Sequence, residues 1–472
     1  MRYIKRAQVL APLLFLLGAG AAAGQPEPAT PVTDKGTLTV LTGFPPQYGE
    51  PGLLVEVSPG RFVGVAVTDY AVAFVVTSAG TLSTLYTFPT NAEPTQPLVQ
   101  AVNGRIYGTE NPGNFSLGLG GDARIYPPPT GFPPVLSIQL PDGSLYGTNA
   151  AGLGHNAFIQ MTLNGAETVL HEFSAAEGTP YDLPIRASDG NFYGISALAS
   201  RAAHGSSSAA VYRVTSQDDL TTIATYPDGR APYGAGTFKE SLVQASNGML
   251  YGTAALGGQN RGGAIFQLSL DGAYKLLYEF PNYVTGIPTF LTLASDGNLY
   301  GVAQAQYQLG GPSSLFRITP DGQFETLQYL SGLEIGTCPC WLTQGSDGLF
   351  YGTTMNGGEG GFGTVWAWDL GLPKPLPSLS GLLPQSGNAG TSVIVWGENL
   401  LGATGVSFNG TPAVTFSNYH QGVCFSDRAG GRHYWPGHHL YSKRSRHLTD
   451  PLYGRVEPAL RGKLVVCRDH RA

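Results

Sequence analysis

The sequence predicts an all-β chain: a seven-bladed β-propeller with four-stranded blades, followed by a shorter β module. Three observations predict it. A Gly-centred motif, mostly Tyr-Gly, recurs seven times, with its glycine at 64, 108, 147, 194, 252, 301 and 352. Each repeat offers four short, alternating apolar segments, and four antiparallel strands in about 40–50 residues is the size of one propeller blade. The composition agrees: 66 Gly and 35 Pro in 472 residues mark many turns, and only 12% of residues are charged, against about 25% in an average globular chain. Long helical bundles and coiled coils are excluded. So is charge-driven disorder, because 42% of the residues are apolar.

At the amino terminus, Met1–Arg6 is basic, Val9–Leu17 is apolar and Ala21-Ala22-Ala23 offers small residues for cleavage. This is the pattern of an export signal over 1–23, with a linker over 24–35. The apolar run is too short for a comfortable membrane span. No cysteine follows it, so a lipid anchor is not expected. The mature chain is expected to be extracytoplasmic (secreted, periplasmic or at the cell surface), with no transmembrane span after cleavage.

The propeller is expected over 36–371. In each repeat an apolar strand such as Ser241–Ala245 precedes Asn-Gly or Asp-Gly, a pair suited to a tight two-residue hairpin turn with positive φ. A Leu-Tyr-Gly-Thr strand follows, then a Gly-rich loop and a third strand such as Ala264–Leu268. Asp271-Gly272 or Asp321-Gly322 then leads to a fourth strand, Tyr274–Phe280 in the first case. The strands alternate and favour β-branched and aromatic residues. Ser58–Gly64 is a weak copy, and the second copy is expected to lose its third and fourth strands in Ala123–Pro129. The seventh copy stops after Gly363–Trp368, whereas Gly36–Phe44 reads as a fourth strand with no blade before it. Pairing the two would close the ring and remove an open edge.

The residues that could carry chemistry are few. Asp142, Asp189, Asp296 and Asp347 suggest a ring of carboxylates, but Asn103 and Asn247 replace them in two copies. A turn tolerates that exchange better than a metal or catalytic carboxylate would. Tyr107, Tyr146, Tyr193, Tyr251, Tyr300 and Tyr351 are expected to pack between blades, and the glycine after each suggests a bulge or a close backbone approach. Gly257–Gly263 lacks the Lys-Ser/Thr of a phosphate loop. His155, His171 and His204 stand in no catalytic pattern. Cys338-Pro339-Cys340, Cys424 and Cys467 form neither a disulfide framework nor a zinc signature. No catalytic residue, cofactor site or metal ligand is therefore assigned.

The combined pattern Asp-Gly-x-Leu-Tyr-Gly-Thr, Gly-Gly, Gly-Thr-Val-Phe-x-Leu and Leu-x-x-Leu-Tyr-x-Phe resembles the GloVer tandem repeat of secreted bacterial proteins. Met355–Val365 matches it well at Gly357-Gly358 and Gly363-Thr364-Val365. The resemblance covers roughly 36–371 and implies export and display, not a reaction.

Leu372–Pro377 is Pro-rich, and 372–378 is read as a linker. Beyond it stand Pro384-x-Ser386-Gly387, Gly390-Thr391-x-Val393, Gly397-x-Asn399-Leu400 and Val406-x-Phe408-Asn409-Gly410. These resemble an IPT/TIG domain, an immunoglobulin-like sandwich, over 379–419. The match stops near Phe416. The segment 420–472 is a different material: ten Lys/Arg and four Asp/Glu fall in 421–472, and six of the nine His lie from His420 onward. Shifting the reading of the codons for Asp427–Tyr441 by one base allows Thr-Val-Pro-Ala-Gly-Ala-Thr-Thr-Gly-Pro-Val, the expected late part of such a domain. The tail is read as out of frame. His433, His438 and His439 then carry no metal chemistry, and Lys443, Arg444 and Arg446 form no selected basic patch.

Outside that tail the chain is mildly acidic and shows no basic patch, which argues against nucleic acid. The reading is an exported, non-enzymatic repeat protein for ligand binding, adhesion or surface display. It is expected to be monomeric, with carbohydrate or a surface protein as partner. The alternative is a propeller enzyme acting on polysaccharide, because two carboxylates could still meet in the channel.

Overall fold

The computed structural model describes residues 35–426 and 464–467, apart from interior stretches of which the longest are 199–207, 226–241, 255–261, 305–312 and 384–391. The export signal, Gly257–Arg261 and His204 lie outside the described residues, as does 427–463 with its histidine-rich run. Among the described residues there is no helix.

Seven antiparallel sheets succeed one another along the chain, and in the first six the strands follow in sequence order. In the first and fourth blades the first strand is broken in two, as Glu50–Pro51 with Val55–Ser58 and as Thr179–Pro180 with Ile185–Arg186. At five of the seven seams the first strands of successive blades touch one another, so they are the innermost. The seventh blade is Thr337–Gln344, Phe350–Asn356 and Thr364–Asp369, and its outermost strand is Thr37–Gly43 from the amino-terminal end. Thr37 pairs with Asp369 and Gly43 with Thr364. The ring closes as the unpaired fourth-strand sequence required.

The second blade departs from expectation. It keeps its third and fourth strands, Gly113–Leu117 and Ala123–Tyr126, paired from Ala123 with Leu117 to Tyr126 with Asn114. Its loop between second and third strands is so short that the third strand begins ahead of the place the other repeats indicate.

The hairpin turns also differ from the expected two-residue type. Only the glycine is left-handed: Gly143, Gly190 and Gly297 have φ of 85°, 85° and 81°, and the preceding Asp is not among the positive-φ residues. Leu140 N–H donates to Ser144 O at 3.0 Å, and Gly143 N–H donates to Leu140 O at 2.9 Å. This is a type I turn closed by a left-handed glycine, the usual three-residue hairpin loop.

The glycine after each tyrosine serves close packing. A Cβ on Gly301 would lie 2.3 Å from the Phe316 ring, and one on Gly252 would lie 2.3 Å from Phe266. Phe316 and Phe266 stand directly across the ladder on the third strand. The ring of the third strand lies flat over the bare backbone of the second.

The outermost strands carry a regular irregularity. Leu41, Leu85, Leu170, Ile223, Leu277 and Leu327 are each skipped in the ladder, so six of the seven outer strands bulge at the same leucine or isoleucine. A bulge twists an edge strand away from pairing with another sheet.

Beyond the propeller, Leu372 packs against the core of the sixth and seventh blades, and Pro373 O accepts the hydroxyl of Ser295. The linker is thus laid against the propeller, not free of it. Two small sheets follow, Ser378–Leu383, Ser392–Glu398, Gly422–Ser426 and Thr415–Tyr419 in one, and Thr411–Pro412, Gly405–Phe408 and Leu464–Cys467 in the other.

Candidate functional site

Besides a third bond that Asp142, Asp189 and Asp296 each accept at Oδ2, from Gln160, Asn191 and Asn298, each repeated carboxylate is occupied twice within its own blade. Its Oδ1 accepts the N–H two residues on, at 2.8 Å from Ser144, 3.0 Å from Asn191, 3.0 Å from Asn298 and 3.1 Å from Leu349. Its Oδ2 accepts the hydroxyl of the tyrosine four residues on, at 3.0 Å from Tyr146, 2.7 Å from Tyr193, 2.9 Å from Tyr300 and 2.7 Å from Tyr351. Where Asn stands instead, the polarity reverses. Asn103 Nδ2 donates to Tyr107 Oη at 2.9 Å, and that hydroxyl donates to Leu163 O of the next blade at 3.0 Å. Asn247 and Tyr251 repeat this with Pro320 O, at 2.8 and 3.3 Å. Asp and Asn therefore both keep the tyrosine hydroxyl paired, and where Asn191 or Asn298 also donates to the carboxylate the residue is Asp.

The tyrosine rings fill the wedge between blades. Tyr300 lies 4.8 Å from Phe350, and Tyr351 lies 4.2 Å from Phe62 across the ring closure. Burial holds the phenols of Tyr193, Tyr300 and Tyr351 above their ordinary range, helped by the facing carboxylates. These are structural groups, each spent at one blade.

A second seam was not legible as such in the sequence. Gln139, Gln244 and Gln344 end their first strands. Their Oε1 atoms accept N–H groups of the preceding blade's turn: Val102 at 2.8 Å, Ser188 at 2.7 Å and Ser295 at 2.9 Å. Their Nε2 atoms donate to Gly143 O at 3.0 Å, Gly248 O at 2.9 Å and Gly348 O at 3.0 Å in their own turns. The signal was a Gln recurring just before the turn.

At the seam between the seventh and first blades a glutamate replaces the glutamine. Glu56 is 6% exposed. It accepts Gly60 N–H at 2.8 Å, Ser346 N–H at 2.7 Å and Ser346 Oγ–H at 2.8 Å. Burial pushes its carboxyl up, and those donors pull it only part of the way back. Glu110, 4% exposed at the end of the strand Ile106–Glu110, is also pushed up by burial, and its Oε2 has no hydrogen-bond partner.

The innermost strands of the first, second, third, sixth and seventh blades, with residues 351–353 of the seventh blade's second strand, surround a channel cavity of about 200 Å³. Leu53, Leu98, Val99, Phe290, Trp341 and Leu342 supply most of its apolar wall. Phe290 meets Trp341 edge-on at 4.7 Å. Ser137, Thr292, Thr343, Thr353 and Tyr351 supply the hydroxyls. Among the described lining residues there is no histidine, carboxylate or cation. Asp142, Asp189, Asp296 and Asp347 stand at the hairpin turns and do not line it. His171 lies on an outer strand, 3.3 Å from Glu177. Cys338 and Cys340 belong to the strand Thr337–Gln344. Among the described residues no three His, Cys, Asp or Glu side chains gather to hold a metal, and no helix is long and apolar enough to cross a membrane.

No curated protein matches the chain. Among solved structures, a puromycin hydrolase is 14% identical with a TM-score of 0.48, over 76% of this chain and 61% of its own. A gluconolactonase from Xanthomonas campestris is 13% identical with a TM-score of 0.36, over 59% of this chain and 95% of its own. A protein of unknown function from Bacteroides thetaiotaomicron is 11% identical with a TM-score of 0.41, over 73% and 99%. Likenesses this distant carry no argument about activity. Residues 133–366, from just before the first strand of the third blade into the third strand of the seventh, match the model of the Gloeobacter/Verrucomicrobia repeat.

Proposed function

We propose that the chain is an exported, non-enzymatic propeller whose task is binding, with the channel as its ligand site and its outer surface available for adhesion or display. The observation that carries this reading is the division of labour among the polar groups. The repeated carboxylates are consumed by turns and tyrosines, while the described wall of the channel is aromatic, aliphatic and hydroxylic. Such a wall suits recognition, because acid–base work needs a titratable group within reach of the substrate.

The finer parts of the reading belong with it. Export rests on the Arg2–Arg6 basic run, the Val9–Leu17 apolar run and the Ala21–Ala23 site. An IPT/TIG module after the linker rests on the motifs from Pro384 to Gly410, and a frame change before Asp427 on the shifted codon reading. Carbohydrate or a surface protein remains the partner proposed for the outer surface.

The test is to incubate the purified chain with a panel of polysaccharides and assay new reducing ends and unsaturated products. The expected result is none. Product formation abolished by one Asp or Glu substitution would overturn the binding reading in favour of a hydrolase or lyase. Resequencing the DNA across codons 410–460 tests the frame: an indel restoring Val-Pro-Ala-Gly-Ala-Thr-Thr-Gly is expected, and an unchanged frame would discard that part.

A further inference from the structure

The channel cavity also specifies what it can hold. We infer that it takes an uncharged, mainly apolar molecule of about one or two rings, with a single polar handle, and not a saccharide. The inference rests on the binding reading above and narrows it.

Size comes first. A cavity of about 200 Å³ is somewhat larger than the roughly 150 Å³ that accepts benzene when lined by aliphatic and aromatic side chains. It is too small for an oligosaccharide.

The polar inventory comes second. Of the five lining hydroxyls, four are committed to the protein. Ser137 Oγ donates to Pro184 O at 3.0 Å, and Thr353 Oγ1 donates to Gly52 O at 2.8 Å. Thr292 Oγ1 donates to Leu342 O, and Tyr351 Oη donates to Asp347 Oδ2 at 2.7 Å. Each of these bonds ties wall to blade, so the donor protons are not available to a ligand. Thr343 is the fifth. A monosaccharide brings several hydroxyls, and burying them against Leu53, Leu98, Val99 and Leu342 would strip their water without replacing it. A charged ligand would meet no counter-charge among the described lining residues.

The aromatic wall comes third. The Phe290–Trp341 edge-to-face pair fixes the Trp341 ring against its neighbour, and Trp341 is only 9% exposed. A flat ring entering beside it gains stacking or edge contact at little cost in side-chain freedom.

The experiment uses the full purified chain and three probes: indole, glucose and benzoate. Equilibrium dialysis is expected to show saturable, one-site binding of indole, with glucose and benzoate bound at least tenfold more weakly. Leu98→Phe, which fills the cavity, should weaken indole at least tenfold. Thr343→Val is the second variant, for use if Leu98→Phe does not fold; it should weaken indole several-fold. Tighter binding of glucose or benzoate than of indole overturns the inference and leaves a binding propeller standing. Indole binding that ignores both variants overturns the channel as its site. Absence of binding by all three probes overturns the inference outright. Polysaccharide cleavage, read separately, overturns the binding reading itself.

Discussion

Tyr300 donates its hydroxyl to Asp296 Oδ2 at 2.9 Å while its ring lies 4.8 Å from Phe350 of the following blade. One side chain thus ties a turn to its own blade and that blade to its neighbour. Asp296→Asn should cost less than Asp296→Ala, because Asn103 and Asn247 already hold their tyrosines through the amide, but it should not be neutral, since Asp296 Oδ2 also accepts Asn298 Nδ2 at 2.8 Å. Asp296→Ala should cost about 1–3 kcal/mol by leaving the phenol without its acceptor. Urea unfolding of the two variants checks this, and equal losses would refute it.

Gly301 is held bare by packing. Gly301→Ala would put a methyl 2.3 Å from the Phe316 ring and 2.5 Å from Phe290 O. Overpacking of this kind costs about 1–3 kcal/mol or more. Phe316→Leu in the same chain should recover part of the loss, since the flat ring is half of the clash. A double-mutant cycle by thermal melting measures the coupling, and strictly additive losses would show that the ring is not responsible.

Glu56 makes the ring closure sensitive to pH. Its folded carboxyl sits above the ordinary 4.5 because burial outweighs its donors. The folded state therefore holds the proton more tightly than the unfolded chain. Stability from this group is complete below about pH 4.5 and is lost as pH rises through the folded value. Glu56→Gln should flatten that fall, bringing the seam closer to the Gln139, Gln244 and Gln344 seams. Urea midpoints of both chains from pH 4 to pH 8 decide it: the gap should change steadily above pH 4.5, and parallel curves would count against it.

Glu110 is the simpler case, a buried carboxylate with one oxygen unpartnered and burial the cause of its raised pKa. Neutralising it should help at pH 7. Glu110→Gln is expected to gain about 1–3 kcal/mol, most of it disappearing below pH 4.5, where the native side chain is also protonated. A variant less stable than the parent at pH 7 would point to an undetected partner for Oε2.

The ring was legible because its signals are local and repeated. Asp-Gly, Tyr-Gly and the fourth-strand pattern each lie within a few residues, and seven copies average out the noise. The closing strand Thr37–Gly43 could be found because it was a fragment without a blade. What stayed hidden is long-range. Nothing local in Gln244 announces that its Oε1 will receive Ser188 N–H, because that contact exists only once two blades are side by side. The bulge at Leu277 is likewise invisible as a pattern, since the skipped residue is apolar like its neighbours. The second blade misled for the opposite reason. Gly113–Leu117 reads Gly-Asn-Phe-Ser-Leu where the seventh copy reads Gly-Thr-Val-Trp, yet its Phe115 pairs with Gly108 as Trp366 pairs with Gly352. The channel cavity was not readable at all, because its wall is drawn from five blades, with residues as far apart in the chain as Leu53 and Thr353.

The seams also differ in how much chain they enclose. The Gln139, Gln344 and Gln244 contacts join residues 37, 49 and 56 apart. Glu56 and Ser346 are 290 apart, and Thr353 and Gly52 are 301 apart. Six blades can therefore assemble one after another as the polypeptide is made, each waiting only for its neighbour. The strand Thr37–Gly43 cannot. It is synthesised before every other strand of the ring, and its partner Thr364–Asp369 is completed only when the whole ring has been made. For that interval the nascent chain carries an unpaired edge, and the slow step of its folding is expected to be the meeting of its two ends.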